Sequence, residues 1–169
     1  MVAKPSLANK LKKVKALVMD VDGVLTDAGM YYSEKGDELK KFNTRDAQGV
    51  ELLLKNGFLV AIITREKTKL VERRAKKMKI NNVFQGVQNK LSCLRKFASA
   101  NDLTLDEVSY IGDDINDLDV LKSAGLSITV NDATNKIKKE ADYVTKANGG
   151  CGAVREVCEL LLDRNIRLP

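Results

Sequence analysis

The 169-residue sequence has no histidine and no tryptophan, only two prolines and three cysteines, and just 5% aromatic residues. The missing histidine excludes the most chemistry. Phosphohistidine phosphatases, Ser-His-Asp hydrolases and zinc hydrolases held by imidazole all need it, so catalysis here must run on carboxylates, lysine, threonine or cysteine. Cys93, Cys151 and Cys158 are odd in number and lack the spacing of a zinc site. They read as reduced, unpaired thiols of a cytoplasmic protein. The scarcity of aromatic residues, with no arginine-rich tract, argues against a nucleic-acid partner. Met1 to Lys15 is polar and lysine-rich without an apolar core, which fits neither a signal peptide nor a membrane span.

What remains is a chain with 44% apolar residues and a net charge of +6, from 29 Lys plus Arg against 23 Asp plus Glu. That length suits one domain over residues 1–169 with one core. The excess charge suits an anionic partner or, more blandly, solvated helix faces. Short apolar runs alternate with amphipathic stretches, the pattern of an α/β fold with a Rossmann-like parallel sheet flanked by helices. Strands are predicted at Lys15 to Asp20 (KALVMD), Phe58 to Thr64 (FLVAIIT), Asn82 to Phe84, Val108 to Gly112 and Leu126 to Val130. Helices are predicted at Glu66 to Met78, Val87 to Ala100, Asp117 to Ser123 and about Ala153 to Asp163. In the second of these, Val87, Leu91, Leu94 and Ala98 fall three or four apart. Gly29 to Phe42 (GMYYSEKGDELKKF) breaks the alternation and reads as a β-hairpin inserted after the first strand, with a Lys-Gly-Asp turn. No linker is long enough to divide the chain.

In a parallel sheet the ligand crevice lies beyond the carboxyl ends of the strands. Three strands end there in reactive residues: Asp20-Val21-Asp22-Gly23, Thr64, and Gly112-Asp113-Asp114. Anionic oxygens crowded at such a place are costly unless a hard cation holds them, and magnesium, with oxygen ligands, is the natural occupant. A phosphate would follow, with Lys90 supplying positive charge and Thr64 a hydrogen bond. Each signal has a bland alternative. Asp-x-Asp-Gly is ordinary turn chemistry, Thr64 a helix N-cap, Lys90 a surface lysine, and Gly-Asp-Asp with Asp117 a helix cap. Four such signals in chain order, each at a strand exit or helix start, are improbable as independent turns.

That order, a hydrophobic strand running into DVDG at 20–23, then Thr64, Lys90 and GDDIND at 112–117, resembles the haloacid dehalogenase superfamily of phosphatases. The stretches DGVLTD, ELKKFNTRD, AIIT, QGVQNKL, YIGDDINDL, ADYVT and GGCGAVREVCELLL narrow the resemblance. Together they are similar to the 3-deoxy-D-manno-octulosonate 8-phosphate (KDO 8-phosphate) phosphatases and their relatives acting on nine-carbon KDN or N-acylneuraminate 9-phosphates. The resemblance covers nearly the whole chain beyond Lys13. It implies that Asp20 is the nucleophile and Asp22 the general acid and base. Magnesium would be held by the side chains of Asp20 and Asp113 and the carbonyl of Asp22. Thr64 and Lys90 would bind phosphate, with Gly23, Asp114 and Asp117 supporting.

Neither interval between these motifs has room for a cap domain, and the resemblance implies a homotetramer whose hairpins associate and whose subunits complete one another's pockets. The GGxGAVRE tail at 149–156 and the pair Arg45-Asp46 look like the eight-carbon enzymes, whereas Thr64 to Thr68 (TREKT) with Lys77 looks like the nine-carbon ones. KDO 8-phosphate is the favoured substrate. Arg65 stands where the family usually has glycine; with Glu66, Lys67, Arg74 and Lys77 it is a candidate sugar contact. Cys158 and Arg164 have the C-x5-R spacing of cysteine phosphatases, but the five residues between form an amphipathic helix, not a phosphate-cradling loop. A phosphotransferase or mutase, and a noncatalytic partner of a sugar-nucleotide synthetase, are the rival functions.

Overall fold

The structure is a computed structural model describing residues 6–36 and 38–163. Six strands form one parallel sheet: β1 (Ala16–Met19), β4 (Leu59–Ile63), β5 (Asn82–Phe84), β6 (Val108–Gly112), β7 (Leu126–Thr129) and β8 (Tyr143–Val144), in the order β5-β4-β1-β6-β7-β8. The two central strands are apolar on both faces. Leu17, Val18, Met19, Ile62, Tyr110 and Ile111 are fully buried, as strands covered by helices on both sides must be. β2 (Tyr31–Tyr32) and β3 (Glu38–Leu39) form a separate antiparallel hairpin, closed at its base by a Thr26–Phe42 bridge. The fold is therefore the α/β class the alternation predicts, and the insertion after the first strand is a hairpin. Asp37 of its turn lies outside the described residues, as does Arg164 of the Cys158 spacing.

Seven helices flank the sheet among the described residues: α1 (Leu7–Lys13), α2 (Thr44–Lys55), α3 (Lys69–Lys77), α4 (Lys90–Ala100), α5 (Leu118–Ser123), α6 (Asn135–Glu140) and α7 (Ala153–Leu162). α2 packs on α7 at Gly49, where a Cβ would lie 3.1 Å from Arg155 Cδ and Cys158 Cβ. Cys158 is buried in this contact, in α7, as expected of a core residue.

Several boundaries differ from the sequence reading, each because of a cap. α3 begins at Lys69 and not at Glu66, since Thr68 Oγ1 accepts the Leu70 N–H at 2.9 Å and Gln85 Oε1 accepts that of Thr68 at 2.8 Å. Arg65 to Lys67 are thereby left as loop. α4 begins at Lys90 and not at Val87 because Asn89 Oδ1 accepts the Ser92 N–H at 2.8 Å. The helix expected at Asp117 starts one residue later, after a 3-10 turn over Ile115–Asp117. α1, α6 and β8 are short, and the stretch holding α1 reads from sequence only as polar; Ser6 caps that helix and Leu11 is its one buried residue.

Candidate active site

β4, β1 and β6 are neighbours in register, with Met19 opposite both Ile62 and Ile111. The three reactive strand ends therefore emerge side by side. They border a crevice of about 280 Å³ lined by Asp20, Asp22, Ala28, Thr64, Arg65, Glu66, Asp113, Asp114 and Asn116. A larger cavity of about 380 Å³, bordered by Lys10, Lys13, Asp106, Glu140 and Asp142, shares no residue with these strand ends, and its Lys10 is already paired with Asp142.

Asp20 is 4% exposed. Its Oδ1 accepts the Val21 N–H at 2.8 Å and its Oδ2 lies 2.6 Å from Lys90 Nζ. Lys90, the first residue of α4, also donates to Asp117 Oδ1 at 2.7 Å. Asp117 is wholly buried and further accepts the Tyr110 hydroxyl at 2.6 Å and the Asp113 N–H at 3.1 Å. Lys90 is thus no surface lysine, and Thr64, 2% exposed, caps no helix. Asp114 supports the loop. Its carboxylate accepts the Ile115 N–H at 2.7 Å and starts the 3-10 turn, while Asp117 alone of the two holds Lys90.

Carboxylate oxygens of Asp20, Asp113 and Asp117 come within 4.8 Å of one another. Burial, then the charge of Asp117, pushes Asp20 up to about 7 against the opposing pull of Lys90. Burial and the charges of Asp20, Asp117 and Asp114 push Asp113 up to about 7 as well. Burial and mutual repulsion thus both oppose the charged forms of these acids, and Lys90 alone does not offset them. An all-oxygen set with no histidine or cysteine fits magnesium. Asp117 is wholly buried and accepts from Lys90, Tyr110 and the Asp113 N–H, whereas Asp20 and Asp113 line the crevice itself. Two glycines make this crowding possible. A Cβ at Gly23, whose φ is +80°, would fall 2.0 Å from Asp113 Oδ2, and one at Gly112 would fall 2.5 Å from Asp117 Cγ.

Asp22 faces the crevice half-exposed, with Oδ1 2.7 Å from Lys40 Nζ. Burial draws Lys40 down, but hydrogen bonds and charge from Asp22 and Glu66 outweigh it and raise its pKa. Sequence reasoning missed Lys40 altogether; its only signal is the alternation in Glu38-Leu39-Lys40, which turns Leu39 outward and Lys40 inward. Of the candidate sugar contacts, Arg65 and Glu66 line the crevice. Lys67 and Lys77 are exposed outside it. Arg74 is absent from the crevice lining; its guanidinium donates to the Asn43 carbonyl and sits 5.4 Å over the Phe42 ring, tying α3 to the base of the hairpin. Gly149, from the tail motif, packs on the same loop, where a Cβ would lie 1.9 Å from the Gly23 carbonyl oxygen.

Residues 55–157 match the family model of haloacid dehalogenase-like hydrolases. The 3-deoxy-D-manno-octulosonate 8-phosphate phosphatase of Salmonella typhimurium is 43% identical over 158 residues, which is 94% of this chain and 84% of that protein. Among solved structures, the phosphatase of that name from Moraxella catarrhalis, crystallised with magnesium, phosphate and KDO, superposes with a TM-score of 0.91 at 39% identity, covering 93% of this chain and 90% of that one. A cobalt-bound deoxy-D-mannose-octulosonate 8-phosphate phosphatase from Haemophilus influenzae gives 0.88 at 32% identity, covering 92% and 91%.

Proposed function

The chain belongs to the haloacid dehalogenase-like hydrolases, and we propose that within this family it is a magnesium-dependent phosphatase hydrolysing KDO 8-phosphate to KDO and phosphate through an aspartyl phosphate on Asp20. The observation that carries this reading is the buried Asp20 carboxylate at the end of β1, 2.6 Å from Lys90 and in one crevice with Asp113 at the end of the neighbouring β6. The relatives' substrate supplies the identity of the sugar.

Asp20 attacks phosphorus in line while the ester oxygen leaves on the opposite side. Lys90, fixed between Asp20 and Asp117, neutralises charge on the transferring group, and Thr64 donates to a phosphoryl oxygen. Asp22 gives its proton to the departing sugar oxygen and later takes one from the water that hydrolyses the aspartyl phosphate. The side chains of Asp20 and Asp113, with the carbonyl of Asp22, hold the magnesium ion, which when bound screens the phosphate from these carboxylates and stabilises the transferring charge. Gly23 gives the loop its close approach, and Asp114 and Asp117 shape the turn behind it. Arg65 and Glu66 at the rim meet the sugar acid.

Among the described residues no cap domain covers this crevice, and the first transfer step is favoured when bulk water is kept out. The hairpin exposes Tyr31, Tyr32 and Leu39 at 55%, 69% and 62%, which supports a homotetramer assembled through this apolar patch. Among the described residues no helix is long and apolar enough to cross a membrane. A cytoplasmic site is the setting we propose for an enzyme with free thiols.

Phosphate release from KDO 8-phosphate, KDN 9-phosphate and N-acylneuraminate 9-phosphate tests the reading. The eight-carbon ester is expected to give the highest kcat/KM, and Asp20→Asn to lower it by roughly a thousandfold or more with the fold intact. Preference for a nine-carbon ester would move the substrate assignment. An active Asp20→Asn variant would overturn the mechanism.

A further inference from the structure

Lys40 follows Leu39, which faces solvent at 62% exposed, yet its own side chain is 0% exposed. A buried ammonium needs anionic partners. Lys40 has two at close range, Asp22 Oδ1 at 2.7 Å and Glu66 Oε2 at 2.6 Å, with Glu38 Oε1 at 3.9 Å. The three acids come from the loop after β1, the loop after β4 and the hairpin itself. Lys90 already serves Asp20 and Asp117, so the two catalytic carboxylates are each held by a different lysine, Asp20 by Lys90 and Asp22 by Lys40.

A carboxylate that must deliver a proton to one particular oxygen loses its advantage when its side chain wanders, and a displacement of about an ångström can cost roughly a hundredfold in rate. Asp22 sits on a short loop at the mouth of the crevice with about 30% of its side chain exposed, so burial alone does not fix it. We propose that Lys40 is the positioning residue of Asp22: it binds one carboxylate oxygen so that the other is presented to the leaving sugar oxygen, and Glu66 anchors Lys40 in that place. The inference rests on the reading of Asp22 as the general acid. The step it serves is the one in which the Asp20–phosphorus bond forms, the phosphorus–sugar oxygen bond breaks, and Asp22, which takes up a proton from solvent beforehand, passes it to that oxygen and returns to the carboxylate paired with Lys40.

Leaving groups separate this role from a structural or phosphate-binding one. A sugar alkoxide needs the proton of Asp22, whereas p-nitrophenolate leaves with little help, and kcat/KM reports only the steps up to departure. Lys40→Met is expected to lower kcat/KM for KDO 8-phosphate by about tenfold or more, and for p-nitrophenyl phosphate by less than about threefold. Lys40→Arg, which keeps the charge, is expected to recover part of the loss. Equal losses on the two esters, or none on the sugar ester, would overturn the proposal. Should Lys40→Met fail to fold, a series of aryl phosphates with Lys40→Arg decides: a steeper dependence on leaving-group pKa supports it, and an unchanged slope overturns it. Asp22→Asn tells the two readings apart. If that variant keeps its sugar-ester rate, Asp22 is not the acid; if it loses that rate selectively while Lys40→Met does not, only the role of Lys40 falls.

Discussion

Gly23 shows how a single residue sets the chemistry. Its φ of +80° and the 2.0 Å separation between a hypothetical Cβ and Asp113 Oδ2 mean that any side chain both strains the loop and displaces a carboxylate. Gly23→Ala is therefore expected to weaken magnesium binding, read by titration calorimetry, by about tenfold or more, the loss seen when support of a metal ligand is disturbed. Unchanged affinity would show that Asp113 is not held where the ion sits. Lys90 illustrates the converse. Its two partners, Asp20 and Asp117, both lie within hydrogen-bond reach, so its charge is spent on holding the nucleophile and is available to phosphate at the same point.

At the scale of elements, the hairpin does two things at once. Alternation along β3 turns Leu39 to solvent, 62% exposed, and the next residue, Lys40, to the crevice. Association through the outer face would thus also steady the inner one. Tyr31→Ser with Leu39→Ser is expected to convert a tetramer to smaller species in light scattering and to lower phosphatase activity with it; a wild-type chain that is a fully active monomer would contradict the assembly. These elements also mark what sequence makes legible. The strand ends at Asp20, Thr64 and Gly112 were readable because a run of apolar residues stops there at a charge, and strand order then places them together. Lys40 is legible only once it is known that Leu39 faces out, since the alternation in ELKK does not say which face is buried, and nothing local marks Arg74 as stacked on Phe42. The starts of α3 and α4 were misread for a related reason. Thr68 and Asn89 stop the helix from extending backwards, while the apolar period runs on through Val87.

For the whole molecule, the dominant electrostatic feature is that burial and neighbouring carboxylates push Asp20 and Asp113 up to about 7. Their folded-state values lie above the unfolded value of 3.8, so between those limits the folded state binds more protons than the unfolded one, and stability falls as pH rises. The penalty is absent below about pH 4 and complete above about pH 7, the interval between those two values. Magnesium stabilises the charged form and reverses the trend. In thermal melts, the chelated protein is expected to lose stability from pH 5 to pH 8, and the rise in Tm on adding magnesium is expected to be larger at pH 8 than at pH 5. A magnesium effect independent of pH would mean that the ion binds elsewhere.

The central claim is a covalent one, that phosphate rests on Asp20 on its way to water. Borohydride reduces an acyl phosphate to the alcohol, so quenching turnover of KDO 8-phosphate with borohydride and mapping the peptides by mass spectrometry reads that bond directly. The account predicts homoserine at position 20, formed only when substrate and magnesium are both present. An unaltered Asp20 under conditions of rapid turnover, or the mark on another carboxylate, would contradict it.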